Sequence, residues 1–92
     1  NVKKKGEYFD LSLNKIKKKY PKIIKEIRGV GLIKGIKMLV DNTEFVKKLM
    51  DHKMLTVKAE ENVIRLFPPL TIENKDLDEG VYKIEEVCKE MS

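Results

Sequence analysis

An α+β domain is the expectation for this chain, with a small, mostly antiparallel sheet of three to four strands covered by helices on one side. Two observations carry it. Helical spacing of apolar residues opens, interrupts and closes the chain, and the segments between are short, β-branched and punctuated by turn residues. At 92 residues there is room for one domain, taken as residues 1–92.

The elements follow in order. Between Gly6 and Lys19, Phe9, Leu13, Ile16 and Tyr20 recur at offsets of 4, 3 and 4, which makes one apolar helical stripe. Pro21 stops that helix, because the residue before a proline is pushed out of the helical region. The stretch "KIIKEIRGVGLIKGIKMLV" (22–40) predicts two strands broken at Gly29-Val30-Gly31. In the second of them Leu32, Ile36, Met38 and Val40 share a face, Lys34 breaks the row, and Gly35 marks a bulge or a close backbone approach. Asp41-Asn42-Thr43 offers caps for a short helix that buries Phe45, Val46, Leu49 and Met50 and ends near His52. Leu55, Val57 and Ala59 then alternate with Thr56 and Lys58 before a turn at Glu60-Glu61-Asn62. In the next strand Ile64 and Leu66 face one way, and Val63, Arg65 and Phe67 the other. Pro68-Pro69 ends it, since neither residue can donate to a ladder. Leu77, Val81, Ile84, Cys88 and Met91 mark a final helix from Asn74 to Met91, with Asn74 as its cap; Gly80 in its interior costs about 1 kcal/mol relative to alanine.

Composition narrows the function. Apolar residues make up 41% and charged residues 38%, and no apolar run approaches the roughly 18 residues that a spanning helix needs. Nothing at the N-terminus resembles a secretory leader. The single cysteine, Cys88, has no internal partner and suits a reducing compartment, so a cytoplasmic location is expected. A net charge of +5 raises the alternative of a stand-alone nucleic-acid-binding or oligomerisation module, but the lysines are strewn among acids rather than clustered. His52 lacks neighbours at metal-ligand spacing, and the acidic pairs Glu60-Glu61 and Glu85-Glu86 lack partners for acid–base work. No metal and no catalytic residue is expected.

Eighteen lysines stand beside two arginines, Arg28 and Arg65. A chain this sparing with arginine has reason to need a guanidinium where it uses one, because only its planar fork grips a carboxylate through two parallel hydrogen bonds. Arg28 reads as structural, starting the glycine turn or pairing across the domain. Arg65 sits inside a strand just before a rigid double proline.

Three segments resemble a known family. "IRGVGLIKGI" (27–36) is similar to the Arg-Gly-x-Gly-Leu-x-x-Gly-Ile pattern of the C-terminal small domain of class III pyridoxal-phosphate aminotransferases. "NVIRLFPPL" (62–70) resembles the strand of that domain in which arginine precedes a Pro-Pro-Leu run, and "TIENKDLDEGVYKIEEV" (71–87) its terminal helix. Glu73 replaces the usual capping threonine and Gly80 an alanine. The resemblance spans nearly the whole chain and implies the small-domain fragment of a fold type I enzyme whose large cofactor-binding domain is absent here. It implies a cytoplasmic homodimer that uses pyridoxal 5′-phosphate, with Arg65 as the residue binding the substrate carboxylate. Of the activities in the family it points to amino transfer between acetylornithine and 2-oxoglutarate in arginine biosynthesis, with ornithine or another ω-amino donor as the alternative. It also implies that this fragment alone binds no cofactor and transaminates nothing, since neither the family's cofactor lysine nor a phosphate cradle is found in it.

Overall fold

The computed structural model describes residues 2–92. In chain order the elements are α1 (Val2–Lys19), β1 (Ile24–Val30), β2 (Ile33–Met38), α2 (Asn42–Asp51), β3 (Val57–Ala59), β4 (Val63–Leu66) and α3 (Asn74–Met91). The four strands form one sheet in the order β1-β2-β4-β3, with every pairing antiparallel. The α+β expectation therefore holds.

Helix α1 begins earlier than its apolar stripe, at Val2, and carries Gly6 inside it as a contact point. A Cβ on Gly6 would lie 2.7 Å from the backbone of Gly31, so only glycine lets the helix press on the β1–β2 turn. That turn needs Gly31 itself, whose φ is +63°. The sheet irregularity falls between Ile24 and Glu26, not at Gly35, which lies in regular register.

One face of the sheet builds the core. Ile36 and Met38 of β2, with Ile64 and Leu66 of β4, meet Phe9, Leu13 and Ile16 of α1, Phe45 and Leu49 of α2, and Leu77, Ile84, Val87 and Cys88 of α3. Lys34 shares this inward face, only 4% exposed, with its ammonium 3.4 Å from Asp10 of α1. The core is thus not wholly apolar, and a charge that looked like a break in the row is tucked beneath a helix. Two expectations are corrected. Met50, expected on the buried side of α2, is exposed because it stands on the outer side of that helix, and Leu55, read as part of the third strand, precedes β3 and is exposed.

Asn62 ties the sheet to α2. Its Nδ2 donates to Met38 O and Val40 O at 2.9 and 2.8 Å, and its Oδ1 accepts from Asn42 N at 2.8 Å. Positive φ at Glu61 and Asn62, 61° each, turns β3 into β4 and aims that side chain. At α3 the cap residue is Glu73, with no side-chain cap bond, so Asn74 is the first helical residue rather than the cap.

Candidate functional site

The opposite sheet face has no helix over it, and both arginines lie there. Register places Arg28 opposite Gly35, Gly35 opposite Arg65, and Arg65 opposite Val57. With neighbouring strands about 4.8 Å apart, the two arginines start about 10 Å from each other with a side-chain-free residue between them. An open recess of about 620 Å³ results, lined among others by Arg28, Gly35, Val57, Val63, Arg65 and Phe67.

The two guanidiniums differ in their surroundings. Arg28 donates through Nε to Glu26, its neighbour two positions back on the same strand face. Hydrogen bonding and charge from Arg28 hold the Glu26 carboxyl below its ordinary range, and the same pair raises Arg28. Arg28 thus pairs along its own strand rather than across the domain. Arg65 is exposed, and among the described residues its side chain makes no hydrogen bond or ion pair. An uncompensated forked cation on the open face can take an anion in bidentate fashion at no cost in broken protein contacts.

Phe67, Pro68 and Pro69 continue β4 out of the recess and line a second, more apolar cleft of about 300 Å³ with Phe9, Leu66 and Leu77. No hydrogen-bonded strand partner follows Leu66, as two prolines require.

The remaining candidates fall into structural places. His52 caps the C-terminal end of α2, its Nε2 2.6 Å from Glu90 Oε2 of α3, and no metal-holding cluster occurs among the described residues. Cys88 is fully buried and its thiol is pushed up to about 12, first by burial and then by the charge of Glu85, so it is no nucleophile at neutral pH. Tyr8 and Tyr82 lie on helices and Tyr20 just beyond α1, and among the described residues Phe67 alone of the aromatics lines the open recess, so one ring rather than a stacking platform stands there for the nucleic-acid alternative. No helix of the described residues is long and apolar enough to cross a membrane.

Comparison with known proteins decides the family. Residues 1–88 match the sequence profile of the class-III aminotransferases. The chain belongs to that family. Acetylornithine aminotransferase 2 of Caulobacter vibrioides is 33% identical over 89 residues, 97% of this chain and 22% of that protein. Acetylornithine aminotransferase of Caldanaerobacter subterraneus is 37% identical over 91 residues, 98% of this chain and 23% of that one. The structure of an ornithine aminotransferase from Plasmodium yoelii superposes with a TM-score of 0.92 at 32% identity, covering 100% of this chain and 25% of its own. The chain therefore spans about a fifth to a quarter of the length of the proteins it matches.

Class III aminotransferases use pyridoxal phosphate, and the described residues do not fit that cofactor. A Schiff base needs a lysine amine free in a pocket, whereas the buried lysine, Lys34, points to the helix side and is engaged by Asp10. Lys58, on the rim of the recess, donates to Thr43 at 2.9 Å. The turn glycines lead from strand to strand rather than into a helix N-terminus, so they offer no phosphate cradle. What this aminotransferase segment offers chemically is the open recess with the unpaired Arg65 guanidinium at its side.

Proposed function

We propose that the chain is the C-terminal small domain of a pyridoxal-phosphate-dependent acetylornithine aminotransferase and that Arg65 binds the carboxylate of its substrates. One observation carries the reading: Arg65 stands unpaired on the bare sheet face, beside a glycine, at the position that "NVIRLFPPL" shares with the family pattern. In the complete enzyme that face turns toward a large cofactor-binding domain, and the guanidinium grips the substrate at its carboxyl end. Such a two-point grip fixes the rotation of the amino or oxo acid, so that the reacting carbon meets the cofactor in one orientation.

The reaction is amino transfer from acetylornithine to 2-oxoglutarate, giving N-acetylglutamate semialdehyde and glutamate, a step of arginine biosynthesis. The relatives' names support acetylornithine as donor. Ornithine is the second reading, favoured by the close superposition on an ornithine aminotransferase, and kcat/KM for the two donors separates them. The complete enzyme is a cytoplasmic homodimer. The 92 residues alone lack a cofactor site and are inactive.

The test is Arg65→Lys and Arg65→Ala in the complete enzyme. Losing a bidentate, charge-assisted pair worth about 2–3 kcal/mol raises KM for 2-oxoglutarate about 30- to 150-fold in Arg65→Ala. Arg65→Lys falls between, because an ammonium keeps the charge but not the fork. Cofactor absorbance stays unchanged in both. Parental KM values for amino donor and 2-oxoglutarate alike would remove Arg65 from the site.

A further inference from the structure

Three of the five glycines answer to the fold. Gly6 lies against the backbone of Gly31, Gly31 has a positive φ, and a Cβ on Gly29 would fall 2.1 Å from Ile33 O. Gly35 does not belong with them. It lies mid-strand in regular pairing, it is not among the positive-φ glycines, and the nearest atom to an added Cβ is Val63 Cγ1 at 3.4 Å. That is ordinary contact, so the domain's own packing would take an alanine there. A glycine inside a strand is also unfavourable, since it loses more backbone freedom on folding than any other residue and packs nothing.

The position of Gly35 supplies the missing reason. It is the floor of the recess on the open face, flanked in register by Arg28 on one side and Arg65 on the other. Any side chain there would rise between the two guanidiniums, into the volume that a ligand of Arg65 must enter. Glu26 already occupies Arg28, so of the two arginines beside this floor the one without a carboxylate partner is Arg65.

We propose that Gly35 is a positioning residue of the carboxylate site: its missing side chain lets a substrate carboxylate sink to the level of the sheet beside Arg65. This rests on the reading of Arg65 as the carboxylate ligand and adds what sets the depth of the seat. The guanidinium fork makes two parallel hydrogen bonds only when the carboxylate lies in its plane. A methyl group on the floor lifts the carboxylate out of that plane and leaves one bond of the two. Val57, Val63 and Phe67 in the lining offer a displaced carboxylate no donor, and the other cations there, Arg28, Lys34 and Lys58, already donate to Glu26, Asp10 and Thr43.

The experiment is Gly35→Ala in the complete, cofactor-loaded enzyme, beside Arg65→Lys. Three quantities are read: KM and kcat for 2-oxoglutarate, the Kd of glutarate (a dicarboxylate with no oxo group to react), and the melting temperature. Gly35→Ala should raise the KM and the glutarate Kd about 5- to 12-fold, half in free energy of what losing the whole bidentate pair costs. Melting temperature and cofactor absorbance should stay at or above the parent's, because alanine is the better strand residue. Weakened glutarate binding in Arg65→Lys with none in Gly35→Ala would overturn this inference and leave the parent reading standing. No weakening in either variant would remove both. A Gly35→Ala protein that loses melting temperature while binding glutarate normally would assign the glycine to packing against the rest of the enzyme, and the inference would fail.

Discussion

Cys88 shows how burial settles the character of a single side chain. It lies wholly within the core on α3, and its thiol is pushed up to about 12 from an ordinary 9.0. At pH 8 the folded protein then holds about one thiolate in ten thousand. Iodoacetamide should therefore leave the native chain almost untouched at pH 8 and label one equivalent on unfolding in guanidinium; rapid native labelling would contradict the buried placement. The linkage has a definite sign. Because the folded value is raised, the folded state keeps its proton longer than the unfolded one, so this contribution to stability is complete below pH 9 and is lost as pH rises toward 12. The inert, packed character of Cys88 was legible from its place on the apolar stripe of the last helix, and so was the outward side of Arg65 from the alternation in β4. Lys34 and Asn62 were not legible. A lysine in a strand reads as solvated unless the carboxylate opposite it is known, and Asp10 lies 24 residues earlier. Asn62 reads as a plain turn residue, because the carbonyls that it bridges, Met38 and Val40, come together only once the sheet has formed.

Helix α3 illustrates where local preference and element differ. Its apolar spacing places Leu77, Ile84 and Cys88 in the core as expected, while Val87, off the expected stripe, is equally buried because α1 and α2 both pack against this helix. Gly80 in its interior has a less exacting setting. A Cβ there would lie 3.6 Å from Met54 Cε, at ordinary contact, so nothing in the domain requires glycine. Gly80→Ala should stabilise the 92-residue chain by about 1 kcal/mol, seen as a higher urea midpoint at unchanged slope. A lower midpoint would mean that the cleft at Phe67 and Pro68, which Gly80 also lines, tolerates no added methyl. The strands were legible to the extent that their turns were: Gly31 and Asn62, both at positive φ, mark the two hairpins. The edge strand was not, because β3 keeps only Val57–Ala59, and Leu55 precedes the pairing and stands in solvent at 83% exposure. Three residues give too short an alternation to reveal which face is inward.

The whole molecule is one-sided, and that asymmetry governs how the separate chain behaves. All three helices pack on one sheet face, leaving Val30, Ile33, Val57 and Phe67 on the other with exposures of 90, 54, 52 and 54%. In the proteins that this chain matches, it makes up about a fifth to a quarter of the length, so a face bare in the 92 residues has a much larger body of protein available to cover it. Alone, the chain carries an apolar surface of the kind that drives association. Its net charge of +5 opposes this, but charges are screened beyond about 8 Å at physiological salt. The 92-residue chain should therefore sediment above monomer mass at tens of micromolar in 0.15 M salt, with the larger species growing as salt is raised, because screening removes repulsion and leaves the apolar attraction. Val57→Lys combined with Phe67→Glu should return it to monomer without changing its circular dichroism, since both side chains are exposed and contribute little to the core. A chain that stays monomeric at every concentration and salt would show that the open face is not sticky by itself. In that event the cover over the sheet would have to be held by specific contacts, with Arg28 and Arg65 the first to examine.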